Sequence, residues 1–394
     1  MKRMFFSTLA VALGLLLAFT LLELILWLFP VRETFLTESV TADQPYIRYR
    51  PNRSIIFSVG WNFSTVAEKR TNNYGYFSAS DFDPDGQTPL VAVIGDSYVE
   101  AAQVEDAQSV HGVLARRVDE AGRVYGIGIS GAPLSQYLAF AEFARDNFDP
   151  DLVVVVIVGN DFDESLRKYA RRPGQYQFDD CNQQSAPWRL EPLRPDPWYM
   201  ALAKRSALVR YLMLNVGLNR FVSSIRYRGS AQENGTAFVG NTSASASPQR
   251  LDDSRCVVDR FIEMLPLRAG LSPDNIVLVL DGMRPELYSA DTLLAAKRTY
   301  FSLMRDYVIE TATTAGFTVV DLQPVFRADY AHHQLPFEVP ADGHWNARAH
   351  GLAAQAIAAT EAFQRVMGHR DRSSGNRRRT NVAIVEAQST AMTP

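Results

Sequence analysis

The sequence predicts an α/β fold: a doubly wound, flavodoxin-like sheet of five parallel strands with helices on both faces. Two patterns predict it. Several short runs are apolar at every position, as strands buried on both faces must be. These runs alternate with stretches of helical period, the rhythm of strand–helix–strand crossovers. Composition agrees, since 394 residues with 47% hydrophobic and 21% charged exclude fibrous, collagen-like and wholly disordered chains.

The elements follow in order. LVAVIG (Leu90 to Gly95) is the first strand, and a helical pattern covers about Gln108 to Glu120. RVYGIGI (Arg123 to Ile129) is the second strand, followed by a helix from Leu134 to Asn147. DLVVVVIVG (Asp151 to Gly159) is the third and clearest strand. NIVLVLDG (Asn275 to Gly282) and FTVVDL (Phe317 to Leu322) are the fourth and fifth, separated by one long helix, about Asp291 to Thr314. A final helix runs from Ala347 to Val366, with Asn346 as its N-cap.

The ends of the chain read differently. Met4 to Pro30 is almost continuously apolar. As a helix it would extend roughly 40 Å, enough to cross a ~30 Å hydrocarbon core with tilt. The run is longer than the apolar part of a cleavable signal peptide and ends in bulky residues, which favours an uncleaved anchor over residues 1–30. Lys2 and Arg3 precede it, so the N-terminus is expected in the cytoplasm and the body outside it, in the periplasm or its equivalent. Glu23 is the one ionisable residue in the span, and fits a partner helix or a protonated carboxyl near the interface. Residues 367–394 carry an Arg377-Arg378-Arg379 block without sustained period and read as a disordered tail.

Two further regions break the alternation. Residues 31–89 read as an irregular preface with strand-like pieces such as SIIFSVGWNFSTV. Residues 162–252 form an insertion after the third strand, too long for an ordinary connection. It contains an amphipathic stretch (Ala203 to Leu218) and then GSAQENGTAFVGNTSASASPQ, which reads as disordered. A cap over the site and a surface decoration are both open readings. Cys181 lies in the insertion and Cys256 just after it. Outside the cytoplasm they could be bonded or free, and a bond would pin the insertion to the core.

The exclusions narrow the chemistry. A net charge of −3 offers no global basic field for nucleic acid. Two cysteines rule out a four-cysteine zinc site, and six histidines leave little room for a His-rich one. No P-loop is present.

Four features fall at or just after the C-terminal ends of strands. Ser97 stands in Gly95-Asp96-Ser97, at a strand-to-helix turn that exposes its hydroxyl and N–H. Gly131 in GISGAP can let the backbone approach a ligand. Asn160 in VGND carries a neutral amide able to donate to an oxyanion. Asp342 and His344, in DGHWN before the last helix, supply a base and its orienting carboxylate. Each is weak alone; together they give a nucleophile, oxyanion donors and a base on one sheet edge. Asp96 is read as bracing the turn, Asp161 and Asp163 as substrate contacts or, in the favoured reading, solvated loop residues, His111 and His350 as structural, and Trp345 as stacking on a sugar or, in the favoured reading, packing. His332 and His333 are read as loop residues that either line the site or do not.

The combination resembles the SGNH (GDSL-like) hydrolase superfamily over about Leu90 to Arg365, outside the insertion. One residue separates Asp342 from His344, where many secreted esterases of the superfamily have two. This DxHWN form is similar to the membrane-anchored branch that includes alginate-acetylation proteins and the SGNH domains of cell-surface acyltransferases. RTNNYGYF (Arg70 to Phe77) also resembles a segment preceding GDS in anchored bacterial members. The resemblance implies catalysis by Ser97, Asp342 and His344, an oxyanion hole of Ser97, Gly131 and Asn160, and no metal or cofactor. It implies an extracytoplasmic esterase or deacetylase of O-acylated carbohydrate. The alternatives are an O-acetyltransferase of a surface polysaccharide, served by a membrane acyl-donor protein, and a non-catalytic polysaccharide-binding or assembly protein.

Overall fold

A computed structural model of the chain describes residues 2–41, 44–181, 188–193, 196–218, 246–284, 286–340 and 342–368. Nine strands are assigned among them: β1 (Ser54–Val59), β2 (Thr65–Arg70), β3 (Leu90–Gly95), β4 (Arg123–Gly128), β5 (Leu152–Ile157), β6 (Tyr176–Phe178), β7 (Trp188–Leu190), β8 (Ile276–Leu280) and β9 (Thr318–Asp321). Five of these form one parallel sheet in the order β4-β3-β5-β8-β9. The five parallel strands are those predicted, and their order is that of a flavodoxin-like sheet.

Successive residues of a strand point to opposite faces, so each central strand feeds two cores. Ala92, Ile94, Val153 and Val155 pack with helices Leu134–Phe148, Pro248–Ala269 and Tyr300–Thr314. Val91, Val93, Val154 and Val156 face helices Val110–Val118, Leu322–His333 and Ala347–Ala358 on the other side. All six residues of β3 and of β5 are buried. The chain leaves β3 for β4 on one side and β5 for β8 on the other, so the sheet has its switch point between β3 and β5. In such sheets that point opens a crevice at the C-terminal edge.

Several expectations need correction. The predicted helix from Asp291 to Thr314 is two helices, Ala290–Ala296 and Tyr300–Thr314. Thr299 takes an extended conformation between them, and its hydroxyl donates to the Ala296 carbonyl at 2.7 Å. The last helix also breaks, into Ala347–Ala358 and Glu361–Gly368. There Thr360 Oγ1 accepts from Phe363 N–H at 3.3 Å and donates to the Ile357 carbonyl at 2.7 Å. A threonine hydroxyl competes with the helical ladder at both breaks. Asn346 does cap Ala347–Ala358, accepting from Ala349 N–H at 3.1 Å.

The preface is partly ordered. β1 and β2 form an antiparallel hairpin, and Phe57, Tyr76, Phe77 and Phe82 join the core. Lys69 of β2 is 2% exposed and donates to the carbonyls of Ala101 and Val104, beside an ion pair with Asp106. Burial depresses its pKa, while Asp106 opposes that shift.

The insertion holds the β6–β7 hairpin and three short helical pieces, Trp198–Ala203, Ala207–Arg210 and Tyr211–Asn215. Met367 and Gly368, read as the start of the tail, end the helix Glu361–Gly368, and the rest of the tail lies outside the described residues, as does most of the insertion stretch read as disordered. Its last two residues, however, open a helix: Pro248–Ala269 starts with proline in its first turn, where the missing N–H costs nothing. Cys181 and Cys256 are disulfide-bonded, with Cα atoms 5.9 Å apart, tying the insertion to that helix.

Among the described residues one helix, Lys2–Leu26, is long and apolar enough to cross a membrane. Of the two expectations for Glu23, the structure meets the partner helix: Glu23 sits at the N-terminus of Ala207–Arg210. Its carboxylate accepts from Ser206 Oγ at 2.7 Å, from the N–H groups of Ala207 and Leu208 at 2.7 and 2.8 Å, and from Trp27 Nε1 at 3.0 Å.

Candidate active site

β3 ends at Gly95 and the chain turns directly into the one-turn helix Ser97–Glu100. Asp96 caps this turn, accepting from Tyr98 N–H at 2.9 Å, and lies 3.2 Å from Ser97 Oγ. That is the bracing role expected of Asp96. Burial pushes its pKa up to about 6, opposed by the Tyr98 N–H, the charge of His344 and the Ser97 hydroxyl.

Asp342 and His344 come from the far end of the chain to the same place. His344 Nε2 stands 2.8 Å from Ser97 Oγ, and its Nδ1 is hydrogen-bonded to Asp342 Oδ1. Burial raises the Asp342 pKa, but the hydrogen bond and charge of His344, with Arg32 adding to them, hold it below the usual carboxylate value. Gly343 between them has φ +87°, a conformation suited to glycine, which folds the two side chains onto one side.

Side-chain bonds tie the Gly131 loop to this centre, and Asn160 lies in a separate set of contacts with Glu164 and Arg172. Glu100, on the Ser97 helix, accepts Ser130 N–H at 2.5 Å, Ser130 Oγ at 2.9 Å and Tyr49 OH at 2.7 Å. Gly131 follows at φ +71°, and a Cβ there would stand 2.9 Å from Arg172 Nη1. Asn160 donates from Nδ2 to Glu164 Oε2 at 3.1 Å, and Glu164 pairs with Arg172. A side-chain amide nitrogen has two hydrogens, so one remains for a ligand.

A buried network backs the His344 loop. Arg284 donates to Asp281 Oδ2 at 2.6 Å, to Tyr98 OH at 2.9 Å and to the Gly343 carbonyl at 3.3 Å. Trp345 Nε1 donates to Asp281 Oδ1 at 2.8 Å, and Trp345 is fully buried, so it packs as expected. Tyr98 lies with its ring 5.1 Å from that of His344.

Sequence reasoning passed over Glu100, Asp281, Arg284, Glu164 and Arg172. Asp281 had a visible signal, a carboxylate at the C-terminal end of a predicted strand. Asp161 and Asp163 are not solvated. Asp161 is fully buried, accepting from Tyr137 OH at 2.9 Å and Val158 N–H at 2.8 Å, and burial drives its pKa well up. Asp163 is 1% exposed and pairs with Arg250. His111 and His350 are buried, as structural histidines are; His350 Nδ1 accepts from Val110 N–H at 3.2 Å. His332 and His333 close an α-helix instead of lying in a loop, and both are exposed.

Chemically, the arrangement offers a hydroxyl hydrogen-bonded to an imidazole whose far nitrogen is held by a carboxylate. Such a unit can deprotonate the hydroxyl and stabilise the resulting imidazolium.

No family model matches the chain, and no curated protein matches its sequence. Its structural neighbours are GDSL and SGNH hydrolases. One is a member of the lipolytic G-D-S-L family from Veillonella parvula, 10% identical, covering 68% of this chain and 96% of its own, with a TM-score of 0.36. A protein described as a GDSL-like lipase, from Parabacteroides merdae, is 12% identical over 72% of this chain and 96% of its own, with a TM-score of 0.38. A two-domain esterase active on acetylated mannans is 10% identical over 74% of this chain and 53% of its own, with a TM-score of 0.36. At these values the likeness carries no inference about activity, which has to come from the side chains.

Proposed function

We propose that this chain is an SGNH-type serine esterase, anchored by its N-terminal helix and working outside the cytoplasm on O-acylated carbohydrate. One observation carries the esterase reading: the relay Asp342–His344–Ser97, with His344 Nε2 2.8 Å from the Ser97 hydroxyl. His344 takes the proton as Ser97 Oγ attacks the ester carbonyl, and Asp342 holds the ring and balances its charge. The Ser97 and Gly131 N–H groups and the Asn160 amide receive the oxyanion. His344 then returns the proton to the departing alkoxide, and water, deprotonated by the same imidazole, releases the acid.

The anchor reading is supported by the exposed apolar helix Met4–Leu26, with Lys2 and Arg3 ahead of it. The carbohydrate class is supported by the resemblance of DGHWN to the polysaccharide-modifying branch.

The test uses the full chain in detergent with p-nitrophenyl acetate. Ser97→Ala should lower kcat at least ~10³-fold while leaving the melting temperature near that of the parent. Equal hydrolysis by both proteins would overturn the serine mechanism. With an acceptor oligosaccharide present, mass spectrometry should find acetate and no acylated sugar. Acylated sugar would move the reading to an O-acetyltransferase.

A further inference from the structure

Outside the catalytic centre, one region combines three unusual features. The first is apolar exposure. Trp198 is 78%, Tyr199 58% and Leu202 63% exposed, all on the short helix Trp198–Ala203. A soluble surface normally scatters such side chains singly. The second is location. Glu23, near the C-terminal end of the apolar helix, makes three hydrogen bonds to Ser206, Ala207 and Leu208, a few residues beyond that apolar cluster. Trp27 and Trp61, 63% and 70% exposed, belong to the same quarter: Trp27 bonds Glu23, and Tyr211 OH donates to the Trp61 carbonyl at 2.8 Å.

The third feature is a cavity of about 970 Å³ between the helix end, residues 33–40 and the segment 193–210, whose lining includes none of Ser97, Asp342 and His344. Arg50, Arg53 and Arg205 line it, are exposed and make no ion pair among the described residues. The acids that line it already have partners, one of them the lining Lys204. Asp196 pairs with Lys204, Glu38 with Arg48, and Glu33 accepts from Ile56 N–H at 3.3 Å.

We propose that this region is a membrane seat: Trp198, Tyr199 and Leu202 enter the lipid interface, and Arg50, Arg53 and Arg205 hold the phosphates of anionic lipid headgroups. The inference rests on the reading of Met4–Leu26 as a membrane span. If that helix crosses the bilayer, Glu23 lies at the level where it emerges, and its bonds fix the 198–208 segment to that level. Aromatic side chains favour this depth because one end of the ring is apolar and the other polar. An interfacial segment sinks its apolar face only ~5–10 Å, which a single short helix can do. Guanidinium forks match phosphate oxygens, and basic residues at the surface add affinity for anionic leaflets.

The test uses the full chain in lipid nanodiscs, with one added cysteine carrying the fluorophore NBD, at Leu202→Cys or, separately, Leu13→Cys. Cys181 and Cys256 are bonded to each other and stay unlabelled without reductant. The Leu13 probe should be quenched by lipids with a nitroxide deep in the acyl chain. The Leu202 probe should be quenched by lipids with a nitroxide near the carbonyl region, more strongly when phosphatidylglycerol joins phosphatidylcholine. Arg50→Gln with Arg53→Gln and Arg205→Gln should abolish that increase and leave the Leu13 signal unchanged. A Leu202 probe unquenched in both lipids, beside a quenched Leu13 probe, would overturn the seat and spare the span. An unquenched Leu13 probe would overturn the span and the seat with it. Quenching at Leu202 that ignores phosphatidylglycerol, or an increase that free inorganic phosphate abolishes at constant ionic strength, would overturn the assignment of the arginines to lipid.

Discussion

Glu100 accepts the backbone N–H of Ser130 at 2.5 Å, three residues after Ser97 and one before Gly131. One carboxylate thus ties the helix that carries the hydroxyl to the loop that carries a predicted oxyanion donor. Burial raises the Glu100 pKa, against the opposing bonds from Tyr49 and Ser130. Glu100→Ala should free the loop and lower kcat by up to ~10²-fold, the lower range for loss of one oxyanion donor. KM should change little. Glu100→Gln keeps an acceptor and should recover part of the rate. Steady-state kinetics on both variants checks this; an unchanged kcat in Glu100→Ala would remove Glu100 from the positioning machinery.

Asp96 makes a prediction about stability against pH. Its folded pKa of about 6 lies above the ordinary aspartate value of 3.8. Between those values the folded chain binds the proton more tightly than the unfolded chain does. Stability from this group is therefore greatest below pH ~4 and declines as pH rises to ~6. Asp342 has the opposite sign, since its lowered pKa stabilises the fold above the unfolded value and loses that effect in stronger acid. Asp161 acts in the same sense as Asp96, so the two must be separated by mutation. Melting temperatures of Asp96→Asn and parent should converge as pH falls towards 4 and separate, with the variant higher, towards pH 7. Parallel curves would show that Asp96 has an ordinary pKa.

Arg284 and Asp281 are both almost fully buried, and each supports the DGHW loop from behind. Removing the cation alone leaves a carboxylate stranded in the core. Arg284→Met should cost about 3–5 kcal/mol, the usual range for breaking a buried pair. The double variant Asp281→Asn with Arg284→Met should recover much of that loss, because the fully buried carboxylate is neutralised and only the partly exposed Glu338, 3.5 Å from the guanidinium, loses a cation. Chemical denaturation of the three proteins measures both effects. Equal destabilisation by the single and double variants would contradict the electrostatic account.

The fold was largely legible because buried parallel strands need apolar residues on both faces. LVAVIG and LVVVVI meet that demand at every position, and all twelve residues are buried. Ser97, Asp342 and His344 were legible for a related reason, since chemistry-bearing residues at strand ends share one sheet edge. Helix breaks at Thr299 and Thr360 were less visible, because a threonine's competition with the ladder depends on local geometry. Asp161 and Asp163 were misread because their partners Tyr137 and Arg250 lie far away in sequence or across the insertion. The partner helix of Glu23 was left open for the same reason, as the residues it bonds follow 183 to 185 residues later.

The last prediction concerns Asn160, whose amide donates to Glu164, itself paired with Arg172 beside Gly131. If Glu164 acts by aiming the amide, its contribution to rate must pass through Asn160. Asn160→Ala should lower kcat ~10²–10³-fold, as expected for one oxyanion donor. Glu164→Ala should lower it less, because the amide survives but can rotate. The double variant should then be no slower than Asn160→Ala, since an unaimed group has no effect once the group itself is gone. Strictly multiplicative losses would instead mean that Glu164 or Arg172 contacts the reacting ester independently. Arg172→Ala distinguishes these further. Acting only through Glu164, it should match Glu164→Ala in kcat at unchanged KM. Acting on a substrate anion, it should raise KM and leave the hydrolysis of neutral p-nitrophenyl acetate untouched.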